Sequence, residues 1–355
     1  MLEDLSEQPL EAAAQAGRVG EKILENLGQP YGLDACIYHS TSSIGITLFS
    51  NHDHEVEELL KQAEIAMYHA KKAGRNTQRF FDHEMQESIN VRVGLEGELR
   101  QALDKNQFQL YYQIQVDSEG RALGAEALIR WIHPERGLIA PNQFIPLAED
   151  NGLILPIGKW VLNAACAQLK IWQQKSITCD LVLAVNVSAK QFHQLDFVAQ
   201  VQAILQYHEI NPEQLKLELT ESILLNKIED TIATMNALKE IGIKFSLDDF
   251  GTGYSSLQYL KQLPLDQLKI DQSFVRDLAI DGNDRAIVIT IVSMAHNMHL
   301  DVIAEGVEAE DQRQFLLNKG CVHYQGFLFG KPVPIEQFDE LINANAPMAV
   351  YGRTT

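Results

Sequence analysis

The segment Ser246 to Leu257, SLDDFGTGYSSL, sets two carboxylates side by side where an apolar run meets a glycine-containing loop. Adjacent like charges raise each other's pKa unless something positive lies between them. Other acids and amides stand in or just after apolar runs in the same way: Glu126, Asn186, Glu218, Glu305 and Gln325, together with one lysine, Lys269. A charge in such a position is costly if unpaired. Carboxylates and an amide oxygen, with no Cys or His among them, make an oxygen-only set suited to Mg²⁺ or Mn²⁺ rather than zinc or copper. The five carboxylates of Glu126, Glu218, Asp248, Asp249 and Glu305 can neutralise two divalent ions. Two such ions activate a bridging water and clamp the attacking and leaving oxygens of a phosphoryl displacement. Taken singly, each acid reads equally well as a salt-bridge or helix-cap residue. For the segment itself the alternative is an Asp N-cap and a turn, with Ser255 and Ser256 opening a helix.

These side chains need elements to carry them. The strand candidates are FQLYYQIQV (108–116), GAEALIRW (124–131), LVLAVNVSA (181–189), LKLELTES (215–222), IKFSLDDF (243–250), LKIDQSFV (268–275), VIAEGVE (302–308) and VHYQGFLFG (322–330), separated mostly by helical patterns. Eight strand-helix steps over about 250 residues match a (β/α)8 barrel, whose catalytic groups come from the C-terminal strand ends. The link DSEGRALG after Val116 is too short for a crossover helix, so the first two strands should be antiparallel. The expected fold is therefore α/β: a TIM-like (β/α)8 barrel with one antiparallel strand, preceded by a smaller partial α/β piece. In that piece SSIGITLF (42–49) reads as a strand, and Val56 to Gly74 as a helix with Val56, Leu59, Leu60, Ala63, Met67 and Ala70 on one stripe. AGRN stops it, and periodicity suggests another helix over roughly Val91 to Lys105.

With 355 residues, 46% hydrophobic, the chain has room for a large domain and a smaller one. Its net charge of −19 argues against a groove for polymeric nucleic acid, which is held by clustered Lys and Arg. A small anionic ligand remains compatible if metal ions supply the positive charge. Cys36, Cys166, Cys179 and Cys321 are scattered, which points to reduced thiols rather than a zinc site or a disulfide framework. No apolar run reaches the roughly 18 residues of a membrane span. A cytoplasmic location is expected, with membrane anchorage of a longer protein left open.

The motifs EALIRW (126–131), FIPLAE (144–149), NVSA (186–189), ELTES (218–222), DDFGTGYSSL (248–257), KIDQSFV (269–275), AEGVE (304–308) and YQGFLFGKP (324–332) resemble the EAL domain of cyclic-di-GMP phosphodiesterases. That resemblance implies hydrolysis of cyclic-di-GMP to linear 5′-pGpG with two divalent cations, Mg²⁺ or Mn²⁺. It implies that Glu126, Asn186, Glu218 and Asp248 hold the first metal. Asp248 would bridge to the second, which Asp249 and Glu305 also face. Lys269 would hold the attacking water or a developing charge, Gln325 would support the metal shell, and Glu305 and Lys269 are the general-base candidates. Glu221 matches the position that anchors the DDFGTGYSSL loop; a helix-cap role is the alternative. Arg130 would pair with a phosphate, and Gln113, Leu128, Asp271, Glu308, Phe327 and Pro332 match positions contacting base or backbone. Where the family usually has YYQP this chain has YYQI, with Ile114 for proline, which bears on the placement of Gln113.

SIGIT (43–47) and AEIAMYHAKKAGRNTQRF (63–80) resemble the last part of a GGDEF diguanylate cyclase domain, although no GGDEF stretch occurs in the chain. The expected organisation is a truncated GGDEF remnant at 1–80, a linker helix region at 81–106, the EAL phosphodiesterase barrel at 107–345 and a tail at 346–355. The remnant should leave Ile44, Ile46 and Leu48 poorly covered; a self-sufficient small domain is the alternative. The family further implies a homodimer through the barrel and sensory domains upstream. The rival reading is a catalytically silent EAL-type receptor that binds cyclic-di-GMP and signals through protein contacts. His52 and His54 read as a solvated turn, Tyr111 and Tyr112 as barrel wall, and Trp160 and Trp172 as packing residues on a helix from about Pro156 to Gln174.

Overall fold

The short link after Val116 does reverse the chain. In the computed structural model, β1 (Phe108–Val116) and β2 (Ala122–His133) pair antiparallel from Phe108 opposite Trp131 to Val116 opposite Ala122. Asp117 holds the turn, its carboxylate accepting from the backbone N–H of Glu119 and Arg121, both at 2.9 Å, and from Arg121 Nε at 2.7 Å. The structure describes residues 9–29, 31–33, 36–38, 40–49, 55–81, 95–221, 223, 228–251, 260–278 and 281–345. The chain divides into two units between Glu98 and Leu99.

In the second unit the sheet continues through β3 (Val182–Asn186), β4 (Leu215–Thr220), β5 (Lys244–Phe250), β6 (Gln267–Ile270), β7 (Asp301–Ala304) and β8 (His323–Gln325). Neighbours from β2 to β8 are parallel, and β8 closes on β1 antiparallel through Tyr324 opposite Val116. The result is a closed eight-stranded barrel with β1 as its one reversed strand. Helices Ile154–Trp172, Phe197–His208, Ile228–Ile241, Gly282–Asn297 and Glu310–Asn318 connect the parallel strands.

Strand lengths depart from the sequence reading. The run 268–275 is a strand only to Ile270; Asp271 then caps the helix Gln272–Arg276, its carboxylate accepting from Ser273 N at 2.9 Å. Outside β1, aromatic residues pack in two groups. Phe108 meets Trp131, Phe144 and Trp160, and Tyr112 meets Trp172 and Phe338. Trp131, Trp172, Phe144 and Phe338 are fully buried, so each contributes roughly 2–3 kcal/mol of apolar burial.

The first unit contains helix Pro9–Leu27, a short hairpin of Tyr31–Leu33 with Cys36–Tyr38, and Ile44–Ile46 paired parallel with Gln78–Phe80 across helix Val56–Lys72. Ile44 and Ile46 are half-buried and Leu48 is exposed, the thin cover expected from sequence. The stripe on the second helix is corrected: Val56 and Leu60 are exposed at 72% and 61%, and the buried face is Gln62, Ile65, Ala66 and Ala70. At Gly45 a Cβ would meet the Ala63 carbonyl oxygen at 2.0 Å, so the strand lies directly on the helix backbone. No described helix is long and apolar enough to cross a membrane. His52, His54 and the tail 346–355 lie outside the described residues.

Candidate active site

Successive residues of a strand face opposite sides, so a residue and its neighbour two along share a face. Glu126, Leu128 and Arg130 therefore share one face of β2, with Gln113 opposite Glu126 on β1. In the register of the parallel strands Glu126 lies beside Ala184, Asn186 beside Glu218, and Glu218 beside Ser246. Lys269 is the centre on which the acids close. Its ammonium lies 2.5 Å from Glu305 Oε1, 2.6 Å from Glu218 Oε2, 3.2 Å from Asp248 Oδ2 and 3.7 Å from Glu126 Oε2. The lysine is 1% exposed.

The neighbouring acids Asp248 and Asp249 are separated by an irregularity in the strand. The β5–β6 register shifts between Leu247 and Phe250, and Asp249 has φ of 55°, a left-handed conformation that Asp tolerates better than most residues. Its backbone N–H donates to Asp248 Oδ1 at 2.9 Å. The chain then continues through Gly251, also left-handed at φ of 98°. Residues 252–259, including Ser255 and Ser256, lie outside the described residues.

Amides fix the fourth acid. Glu126 accepts from Asn186 Nδ2 at 2.5 Å and from Gln325 Nε2 at 2.6 Å, and Gln325 also donates to Gln113 Oε1 at 3.1 Å. Gly326, next in the chain, permits this placement: a Cβ would lie 2.1 Å from the Val307 carbonyl oxygen, so the two segments lie backbone to backbone.

The electrostatics are unbalanced. Burial, then the Glu126 and Asp248 carboxylates, push Glu218 up to about 7 against the pull of Lys269. Burial and the surrounding acids likewise raise Glu305 well above the usual carboxylate range, again against Lys269. Burial, Asp248 and Asp271 push Asp249 up to about 6. Glu126 runs the other way: burial would raise it, but Lys269 and the Gln325 and Asn186 hydrogen bonds hold it low. One ammonium does not satisfy this many acids. Glu218 Oε1 is buried without a hydrogen-bond partner among the described residues. The hard oxygen donors and the surplus negative charge suit divalent cations such as Mg²⁺ or Mn²⁺. As they stand, no three Asp, Glu, His or Cys side chains among the described residues are arranged to hold a metal ion; the acids close on Lys269 instead.

The other expected residues lie around this centre to differing degrees. Arg130 is half-buried, its guanidinium 5.5 Å from the centre of the Tyr111 ring and Nη1 donating to the Ile129 carbonyl at 2.9 Å. Leu128 and Pro332 are half-buried, and Gln113 is buried, donating to the Gly330 carbonyl at 3.2 Å. Phe327 is 53% exposed with Lys331 Nζ over its ring, and Glu308 is exposed. Asp271 serves as a helix cap. Glu221 is buried at 7% exposure, and neither of its carboxylate oxygens has a hydrogen-bond partner among the described residues.

The sequence reading missed a polar layer one step along each strand. Lys216, Gln115, Ser246 and Gln267 are all buried. Lys216 Nζ donates to Gln267 Oε1 at 2.7 Å and Gln115 Oε1 at 3.2 Å, and Gln115 Nε2 donates to Gln325 Oε1 at 2.8 Å. All four stand two positions from a site residue: Lys216 from Glu218, Gln115 from Gln113, Ser246 from Asp248 and Gln267 from Lys269. That spacing was the available signal.

Comparison with known families matches residues 96–332 to the EAL domain. The chain belongs to the EAL domain family. Residues 4–77 ahead of the EAL domain match the diguanylate cyclase GGDEF domain. Among curated relatives, the chain is 43% identical over 325 residues to the bifunctional diguanylate cyclase/cyclic di-GMP phosphodiesterase MucR of Pseudomonas aeruginosa, covering 91% of this chain and 47% of that protein. It is 38% identical to the cyclic di-GMP phosphodiesterase NbdA of the same organism, covering 93% of this chain and 42% of the relative. The chain thus spans less than half the length of these relatives. Among solved structures, the PaMucR phosphodiesterase in complex with c-di-GMP is 46% identical, with a TM-score of 0.67 over 69% of this chain and 99% of that one. The EAL enzyme Bd1971 in its cAMP- and cyclic-di-GMP-bound form is 34% identical, with a TM-score of 0.69 over 82% of this chain and 77% of that one.

Proposed function

We propose that the EAL barrel hydrolyses cyclic-di-GMP to linear 5′-pGpG with two divalent cations. The observation that carries this reading is the ring of four carboxylates within 3.7 Å of one buried ammonium at the C-terminal ends of parallel strands. Buried surplus charge of this kind is a functional-site signature. Similarity to cyclic di-GMP phosphodiesterases supports cyclic-di-GMP as the substrate.

Glu126, Asn186, Glu218 and Asp248 would hold one cation, and Asp248, Asp249 and Glu305 the other. Bound there, the ions would supply an activated water and a clamp on the phosphodiester oxygens. Cation entry requires the acids to exchange part of their contact with Lys269. The chain's own residues do the rest. Lys269, donor-only and held by Glu218 and Glu305, stabilises charge developing on the phosphorus oxygens. Glu305 takes the role of base, accepting a proton from the attacking water as its oxygen bonds to phosphorus and the P–O3′ bond breaks, and the departing 3′ oxygen takes a proton from solvent to become the free hydroxyl. Gln325 and Asn186 hold Glu126 in position. Arg130, its planar guanidinium stacked on Tyr111, pairs with a phosphate, and Gln113, Leu128, Asp271, Glu308, Phe327 and Pro332 line the dinucleotide. Glu221 takes the anchoring role that its match to the EAL motif implies. The whole protein would place this barrel in a homodimer under upstream sensory domains.

The test is chromatographic. The purified chain is incubated with cyclic-di-GMP and Mg²⁺ or Mn²⁺ beside Glu126→Gln, and pGpG is measured. Metal-dependent product that is absent from the variant is the expected result. Tight binding of the intact dinucleotide without product under any metal would make the chain a receptor.

A further inference from the structure

Lys216 is the second fully enclosed lysine of the barrel, and its partners are neutral: Gln267 Oε1 at 2.7 Å and Gln115 Oε1 at 3.2 Å. From Gln115 the contacts continue in one direction. Gln115 Nε2 donates to Gln325 Oε1 at 2.8 Å, and Gln325 Nε2 donates to Glu126 Oε2 at 2.6 Å.

The two ends decide the orientation of both amides. A carboxamide has an oxygen and a nitrogen of nearly equal shape, and either can face a neutral partner. An ammonium only donates and a carboxylate only accepts. With Lys216 at one end, Gln115 must turn its oxygen to the lysine and its nitrogen to Gln325. Gln325 must then receive on its oxygen and donate to Glu126. Every link has a single polarity. Gln267 is held by the same rule, its oxygen taking Lys216 Nζ at 2.7 Å and Ser246 Oγ at 3.4 Å.

We infer that Lys216 is a positioning residue: by claiming the oxygen of Gln115 it keeps the Gln115 nitrogen as the donor that braces Gln325 against Glu126. Without the lysine, Gln115 can rotate its amide by half a turn and present its oxygen to Gln325. Gln325, its nitrogen still held by Glu126 Oε2 and Gln113 Oε1, would keep its orientation but meet that oxygen with its own, losing the donor that braces it. The inference rests on the proposed metal-dependent reaction only for its functional consequence; the relay itself belongs to the metal-free protein. It also gives Gln325 a defined role: its oxygen is committed to Gln115, so it acts on the site by holding Glu126.

The experiment compares the chain with Lys216→Met in two readouts. In metal-free ¹⁵N-labelled protein, the assigned Gln325 carboxamide protons, enclosed between Glu126 and Gln113, should exchange slowly with solvent in the parent and faster in the variant. In calorimetry with Mn²⁺, and in steady-state kinetics, the variant should lose about tenfold in Mn²⁺ affinity and in kcat, the range seen when an outer support of a metal ligand is removed. KM for cyclic-di-GMP should stay unchanged. Unaltered Gln325 exchange in the variant overturns the relay whether or not the chain binds metal, whereas absence of Mn²⁺ binding in the parent overturns the phosphodiesterase reading alone. Should Lys216→Met fail to fold, Lys216→Gln keeps a polar group in the layer but, able to accept as well as donate, no longer fixes the orientation of Gln115. It should show the same faster exchange of Gln325, and parent-like exchange in it refutes the proposal.

Discussion

Lys269→Met tests the charge balance of the site most directly. The substitution removes the ammonium that four carboxylates approach to within 3.7 Å and keeps most of the side-chain volume. Breaking a buried pair by deleting one partner costs about 3–5 kcal/mol. A second route gives a similar figure. The lost charge can be restored by one proton on a glutamate whose unfolded pKa is about 4.3, and at pH 7 that uptake costs about 2.7 units at 1.36 kcal/mol each, or about 3.7 kcal/mol. At pH 5 the same uptake costs only about 1 kcal/mol. The sign follows from linkage. Acids whose folded pKa lies above the unfolded value contribute stability that is present below about 4.3 and is lost as pH rises through the folded value. Thermal unfolding in EDTA should therefore place the variant about 8–15 °C below the parent at pH 7 and only about 2–4 °C below it at pH 5, taking about 2–4 °C per kcal/mol for a domain of this size. Mn²⁺ at about 100 times its Kd should recover about 2.7 kcal/mol at pH 7. The parent in EDTA should itself lose stability between about pH 4.5 and 7, because Glu218 rises to about 7 and Asp249 and Glu305 shift in the same direction, with Glu126 the one acid of the ring that opposes them. A variant that melts with the parent at both pH values and gains nothing from Mn²⁺ would refute the reasoning, since it would mean that the acids never depended on that charge.

Two further outcomes follow from geometry away from the acid ring. Arg130→Lys keeps the charge but loses the planar fork and the stacking on Tyr111, so initial-rate kinetics should show KM for cyclic-di-GMP raised by about tenfold or more with kcat little changed; a fall in kcat alone would place the arginine outside ground-state binding. Asp117→Asn weakens the turn that reverses β1: although burial opposes it, hydrogen bonds from the Arg121 side chain and from the Arg121 and Glu119 backbone hold the Asp117 carboxyl below its ordinary value. Its contribution is thus present above the unfolded pKa and is lost as pH falls through the folded one, and urea unfolding should show a loss of about 1 kcal/mol near pH 7 that shrinks towards pH 3.

What could be read from the sequence was set by which rules act locally. The reversal of β1 was legible because eight residues cannot hold a crossover helix, whatever their identity. Glu126, Glu218 and Lys269 were legible because a charge inside an apolar strand demands a partner. Strand ends were not: Phe274 and Val275 extend the apolar run after Lys269, and periodicity alone cannot show that Asp271 has already capped a helix. The helix stripe through Val56 and Leu60 failed for a related reason, since the spacing of apolar residues ranks the faces of a helix without showing which one a strand such as Ile44–Ile46 will cover.

The pairing of Asp248 with Asp249 marks the limit of pattern reasoning. In a regular strand they would face opposite sides, and a reading by alternation would send one of them away from the site. The shifted register and the left-handed Asp249 break that alternation, a backbone property that no count of apolar residues carries. Lys216, Gln115 and Gln267 were hidden differently. Each is an ordinary polar residue in a strand, and its meaning lies in standing two positions from Glu218, Gln113 and Lys269 on three separate strands. Closing those strands into a barrel turns that spacing into a hydrogen-bonded layer, and the layer has a direction because a lysine stands at one end and a glutamate at the other. The acids could be found one strand at a time; the groups that orient them could be found only after the strands were put side by side.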